Sequence, residues 1–163
     1  MSDNETTEAE ARALASPLRL RILRICLHQP RTNKEIAQAL DRNPGSTLHH
    51  VRTLVETGFL EPVEPRRGAR GAREVPYRAT RRSWRTHVSG ISSVLVRTFL
   101  DEIAGLPADE LQVSRLGLKL SESDTAELRT RIGELLQEYA ERPSVPDGVP
   151  ISLLVAIHPD HSA

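Results

Sequence analysis

The sequence is poor in several things, and each shortage closes off a class of function. It has one cysteine, Cys26, in 163 residues, which excludes an internal disulfide and any metal site built from several thiolates of one chain. Aromatic residues make up 3%, too few for the stacking platforms that hold single-stranded nucleic acid. No apolar run approaches the roughly 18 residues that a membrane span requires. The opening MSDNETTEAE is polar and acidic, where a secretory signal would be basic and then apolar, so a cytoplasmic location is expected. Ser, His and Asp residues occur throughout without the spacing of a nucleophile elbow. An enzyme is not expected, nor is a cofactor or a metal. Duplex DNA, proteins and small molecules remain as partners.

What is present is unevenly distributed. The formal net charge is zero, yet residues 1–82 carry 15 Arg or Lys against 10 Asp or Glu, and residues 83–163 carry 7 against 12. Residues 66–82 hold seven Arg and one acid, Glu74. A polyanion is the natural partner of such a stretch.

Local signals divide the chain. Residues 1–10 read as an acidic disordered tail, with a helix over 8–15 as an alternative for its end. Ser16-Pro17 is an N-cap followed by proline at the first helical position, opening a helix over 17–28 with Leu18, Ile22, Ile25 and Cys26 at helical spacing. Thr32 and Glu35 form a capping box for a helix that carries Ile36, Ala37 and Leu40 inward and stops near Asp41. After the turn Asp41-Arg42-Asn43, the pair Asn43-Pro44 starts a third helix, which Gly58 ends. Residues 60–64 and 74–79 suit the arms of a β-hairpin, with the loop RRGARGAR at its tip.

Two short helices joined by a three-residue turn, followed by a basic hairpin, make a winged helix-turn-helix over residues 11–82. On the wheel of the third helix Val51, Leu54, Val55 and Gly58 form the packed stripe, while Ser46, His49, Arg52 and Thr53 point away from it. These four are the candidates for reaching base edges and phosphates in a major groove. His50 sits at the stripe's edge and joins them, whereas Leu48, at the other edge, is assigned to packing. Arg66, Arg67, Arg70 and Arg73 are the candidate wing contacts to phosphate or minor groove. Ser83 caps a long helix over 83–104 whose inward residues Trp84, Val88, Ile91, Leu95, Thr98 and Glu102 step by four and three, apolar for the first four. Trp84, Val88, Ile91 and Leu95 are the candidate dimerisation residues. Over 108–158 the pattern reads strand, helix, strand: apolar residues alternate from Leu111 to Leu120 and from Val149 to Ile157, around a helix started at Ser121 with Leu128, Ile132, Leu135, Leu136 and Tyr139 on one face. The expected fold class is therefore α+β: a mostly helical winged helix-turn-helix with a hairpin wing, a long dimerisation helix and a C-terminal β-α-β module.

The run LASPLRLRILRICLHQPRTNKEIAQALDRNPGSTLHHVRTLVETGFLEPVE resembles the ArsR/SmtB-type bacterial regulators. The likeness rests on Ser16-Pro17 before Arg19-Leu20 and Ile22-Leu23, Glu35 before Ile36-Ala37, the pair His49-His50, and Leu54 to Gly58-Phe59-Leu60. It spans residues 14 to about 80. The resemblance implies a homodimeric repressor that binds a pseudo-palindromic operator and answers to a metal, a small molecule or a partner. In metal-sensing members a Cys-x-Cys lies in the helix that here reads TNKEIAQALD, which lacks Cys and His. Others use Asp, His and Glu on the dimer helix, where this chain has His87, Asp101 and Glu102 without the repeating His. Asp41 stands where the turn usually has glycine. The expected effector is thus a small organic molecule or a partner, and the β-α-β tail resembles that of a subset of actinobacterial regulators. The rival is a winged-helix protein-interaction module in which the acidic second half is the binding surface, a role that gives no reason for the arginine-rich wing. Cys26 reads as a buried small hydrophobe, and the terminal His158-Pro159-Asp160-His161 as chain end.

Overall fold

A computed structural model describes residues 7–68, 71–86, 88, 90–145 and 147–161. They fall into two units, Met1–Gly105 and Leu106–Ala163.

The first unit opens with α1, Glu8–Leu14, and α2, Pro17–Ile25. Residues 1–6 of the expected acidic tail lie outside the described residues, but 8–10 are helical rather than disordered. The Thr7 hydroxyl accepts from the Glu10 amide while the Glu10 carboxylate accepts from the Thr7 amide, so the capping box that fixes the helix start uses the acids of the tail. Ser16 caps α2 with Pro17 in its first turn. A two-residue strand β1, Arg31–Thr32, then leads into α3, Asn33–Ala39, capped by the Thr32/Glu35 box. The turn to α4, Pro44–Glu56, places Asp41 at φ 51°. That is a left-handed conformation that aspartate tolerates better than most residues.

Strand β2, Leu60–Pro62, follows Gly58 at φ 72°. It pairs antiparallel with β5, Pro76–Ala79, which also takes β1 on its other edge, giving the order β1-β5-β2. The registers are Leu60 opposite Ala79 and Arg31 opposite Tyr77. Between β2 and β5 the chain forms a second ladder, β3, Arg66–Arg67, against β4, Arg73–Glu74. The hairpin is thus longer than expected, reaching into the stretch read as loop. Beneath it lies one core: Ala13 and Leu14 of α1, Leu20, Ile22 and Leu23 of α2, Cys26, Ile36, Leu40, Val51, Leu54, Phe59, Leu60 and Ala79. Burial pushes the Cys26 thiol up to about 12, so it stays protonated and serves as packing.

The expected continuous helix over 83–104 is instead two pieces, α5, Arg82–Arg85, and α6, Ser92–Ile103. Thr86 is extended (φ −88°, ψ 113°) and Gly90 has φ 75°, neither compatible with an unbroken helix. Val88 and Ile91, in the segment between the two pieces, and Val94 of α6 still pack against the core.

In the second unit the regular element is α7, Glu122–Glu141, capped by Ser121 as its sequence requires, after a single 3-10 turn at Ala108–Glu110. The two strands expected around it are not formed: residues 111–120 and 149–158 enter no ladder. Most of their alternating residues are exposed, Val113, Leu116, Val149 and Ile151 at 74%, 77%, 84% and 81%. A period of two sets which side chains share a face but supplies no partner strand.

Candidate nucleic-acid interface

The α3-turn-α4 unit is held by short local bonds. The Asn33 amide group donates to the Pro44 carbonyl (2.8 Å), bringing the start of α3 to the start of α4. The Arg42 backbone amide donates to the Ala37 carbonyl (2.9 Å), closing the turn. The Asn43 side chain accepts from the Gly45 amide (2.7 Å) and its carbonyl accepts from the Ser46 and Thr47 hydroxyls (2.9 Å each). Val51 and Leu54 are fully buried and Val55 packs beside them, as the helical wheel requires, and Thr47 joins that buried face.

Opposite that stripe, Ser46, His49 and Arg52 are exposed. Thr53 is half-buried, with its hydroxyl donating to the His49 carbonyl (3.1 Å). His50 is half-buried at the edge of the same helix, its ring 5.7 Å from that of His49 in an edge-on arrangement. Burial, then the charges of Arg19, His49 and Arg42, lower its pKa below the ordinary imidazole value. Arg42, not singled out from the sequence, is exposed in the turn before α4 and close enough for its charge to act on His50. Its position next to the Asn43-Pro44 helix start was the available signal. Arg19 is committed elsewhere, its guanidinium donating to the carbonyls of Ala13 (2.6 Å) and Arg12 at the end of α1.

The wing carries Arg66, Arg67 and Arg73 exposed, while Arg70 lies outside the described residues. The register sets Arg67 directly opposite Arg73 and Arg66 opposite Glu74. Arg66 forms ion pairs with Glu35 of α3 and with Glu74 at 3.9 Å. Among the described residues no ion pair involves Arg67 or Arg73. Like charges facing each other across a two-stranded ribbon are unfavourable by themselves, and an anion between them removes the penalty.

Behind the interface, Arg82 ties three elements together. It pairs with the buried Glu10 of α1, donates to the Thr57 carbonyl at the end of α4 (3.2 Å) and lies 5.9 Å from the Phe59 ring centroid. The hydroxyl of Thr80 donates to the Gly58 carbonyl (2.8 Å), locking the wing's return strand to the end of α4. Of the candidate dimerisation residues, Val88 and Ile91 pack against the chain's own core, whereas Trp84 and Leu95 are exposed at 54% and 39%. Val96 and Leu100, not singled out from the sequence, are exposed beside Leu95 at 40% and 55%. Glu102 is engaged by Arg24 at 3.4 Å, and His87 lies outside the described residues. No group of three or more potential metal ligands occurs among the described residues, and no described helix is long and apolar enough to cross a membrane.

Residues 14–63 match the family model of a helix-turn-helix domain, which is the segment from the end of α1 to just past β2. No curated protein matches the chain. Among solved structures it is similar to the homodimeric winged helix-turn-helix DNA-binding domain of Mb0332 from Mycobacterium bovis (22% identity, 73% of this chain and 97% of that one, TM-score 0.38). It is also similar to TA0346 of Thermoplasma acidophilum (21% identity, 59% and 98%, TM-score 0.41). A third likeness is to the PcaV transcriptional regulator of Streptomyces coelicolor (19% identity, 82% of each chain, TM-score 0.38). The class of the first unit follows from its own geometry together with the family match: it is a winged helix-turn-helix.

Proposed function

We propose that the chain is a dimeric, sequence-specific DNA-binding transcriptional regulator acting as a repressor, without enzymatic activity. The observation that carries this reading is the joint exposure of one helix face, Ser46, His49 and Arg52, and a wing ladder on which Arg67 stands opposite Arg73. The helix has the width of a major groove, and the wing cations suit the phosphates beside it. The M. bovis domain, described as homodimeric and DNA-binding, points the same way. Dimerisation would use the exposed residues Leu95, Val96 and Leu100 of α6 with Trp84 of α5, rather than Val88 and Ile91, which the core already occupies. The effector is proposed to be a small organic molecule or a partner, since the helix TNKEIAQALD carries neither Cys nor His.

The test is selection of bound sequences from random duplex DNA with the purified protein. A two-fold symmetric motif is the expected result. Failure to enrich any motif, with no salt-dependent binding to duplex, would favour the protein-interaction alternative.

A further inference from the structure

We propose that Arg66 is not a DNA contact but the positioning residue of the wing, clamped between Glu35 of α3 and Glu74 of β4 so that the helix-turn-helix and the hairpin meet DNA as one rigid surface. This rests on the DNA-binding reading above and changes the part Arg66 plays in it.

The Glu35 carboxylate is shared between two tasks. One oxygen accepts from the Thr32 amide (2.8 Å) and hydroxyl (3.1 Å), completing the cap of α3. The other takes the Arg66 guanidinium, 31 residues away in sequence. The hydrogen bond from the Thr32 amide first, then those from Arg66 and the Thr32 hydroxyl, hold the Glu35 carboxyl below the usual carboxylate range, so the acid is ionised where the wing meets it. On the other side Glu74 lies over the hairpin: a Cβ built on Gly68 would fall 2.2 Å from its carboxyl carbon. Glycine at position 68 is what lets that carboxylate lie against the backbone and face Arg66. A phosphate approaching Arg66 would meet two carboxylates, that of Glu35 fixed by Thr32, whereas one approaching Arg67 and Arg73 meets two cations with no acid paired to them among the described residues. The sign of the local field therefore assigns anchoring of the phosphate to Arg67 and Arg73, and anchoring of the wing to Arg66.

The experiment measures the affinity of the full chain for a mixed-sequence duplex over a salt series, for the wild type, Arg66→Gln, Glu35→Gln, their double variant and Arg67→Gln. Glutamine at position 35 keeps the capping box, which accepts Glu or Gln. Arg67→Gln is expected to flatten the slope of log affinity against log salt by about 0.9 for each phosphate that the arginine no longer neutralises. Arg66→Gln and Glu35→Gln should each weaken binding about two- to fivefold at unchanged slope, and the double variant should be no weaker than either single one. Hydrogen exchange at the Gly68 amide, bonded to the Ala72 carbonyl at 2.8 Å, should quicken in both single variants whether or not DNA is present. If Glu35→Gln tightens binding, or Arg66→Gln flattens the slope as Arg67→Gln does, Arg66 is a restrained phosphate contact and the proposal falls. Unchanged exchange at Gly68 in both variants would also overturn it. Wild-type protein with no salt-dependent affinity would defeat the DNA-binding reading, while exchange at Gly68 would still decide whether Arg66 holds the wing.

Discussion

The two units of this chain share one sequence grammar and differ in outcome. In residues 8–60 apolar residues recur at helical spacing, and the side chains so aligned meet one another: Leu14, Ile22, Cys26, Ile36, Val51, Leu54 and Phe59 are sealed to 1% exposure or less. In residues 111–157 apolar residues are as regular, yet among the described residues of Leu106–Ala163 none is buried. On α7, Leu128, Ile132 and Leu136 are half-covered while Leu135 and Tyr139 stay exposed. Periodicity decides which residues face together, and a core forms where a second face of matching length lies against them.

That contrast can be broken by substitution. Phe59→Ala removes a fully buried ring and should cost about 3–5 kcal/mol, read as a large fall in the denaturant midpoint at ambient temperature. Ile151→Ala, at a position 81% exposed, should change stability by less than about 0.5 kcal/mol. Comparable losses at both positions would mean that the second unit has a core of its own. Next in size is Arg82→Ala, which leaves the buried carboxylate of Glu10 unpaired and removes the bond to Thr57. Because Arg82 is 42% exposed, solvent offsets part of the loss, and about 1–3 kcal/mol is expected in the same assay.

Substitution on the exposed part of α6 sharpens the comparison from the other side. Leu100→Asp, at 55% exposure, should leave the fold intact and shift the chain from dimer to monomer at micromolar concentration, read by sedimentation. A wild type that is monomeric at that concentration removes the dimer from the proposal.

The smallest effects are in pH. Glu10 and Glu35 have folded pKa values below the ordinary 4.5, in each case first through the amide of their capping threonine, Thr7 or Thr32. Such groups stabilise the fold fully above pH 4.5, and the contribution is lost as the pH falls through the folded values. His50 is likewise lowered from 6.5, chiefly by burial. Its unfolded form binds a proton first, so stability declines as the pH drops below 6.5 towards the folded value. Denaturant midpoints should be flat above about pH 7 and fall in two steps on acidification. A midpoint that rises on acidification through the histidine range would contradict the placement of His50.

Local signals account for what was legible in the sequence. Ser16-Pro17, the Thr32/Glu35 box and Asn43-Pro44 each act within four residues, and each produced the helix start it implied. The exposed face of α4 followed from those starts, because a fixed first residue fixes the wheel. What escaped depends on distant partners. The Arg66–Glu35 pair spans 31 residues, and β1 exists because β5 lies beside it. The break before α6 turns on Gly90 adopting φ 75°, which the steady apolar repeat from Trp84 to Leu95 conceals. The tail strands failed for the converse reason, a sound local pattern with no partner at hand.

The most direct measurement compares two arginines on a selected operator and on the same duplex with its symmetric bases changed. Arg52→Ala, on the exposed face of α4, should cost about 1–3 kcal/mol per half-site on the operator and little on the altered duplex. Arg67→Ala, on the wing, should weaken binding to both duplexes equally and flatten the salt dependence of each. If Arg67→Ala erodes discrimination while Arg52→Ala leaves it whole, α4 is not the element that reads the sequence.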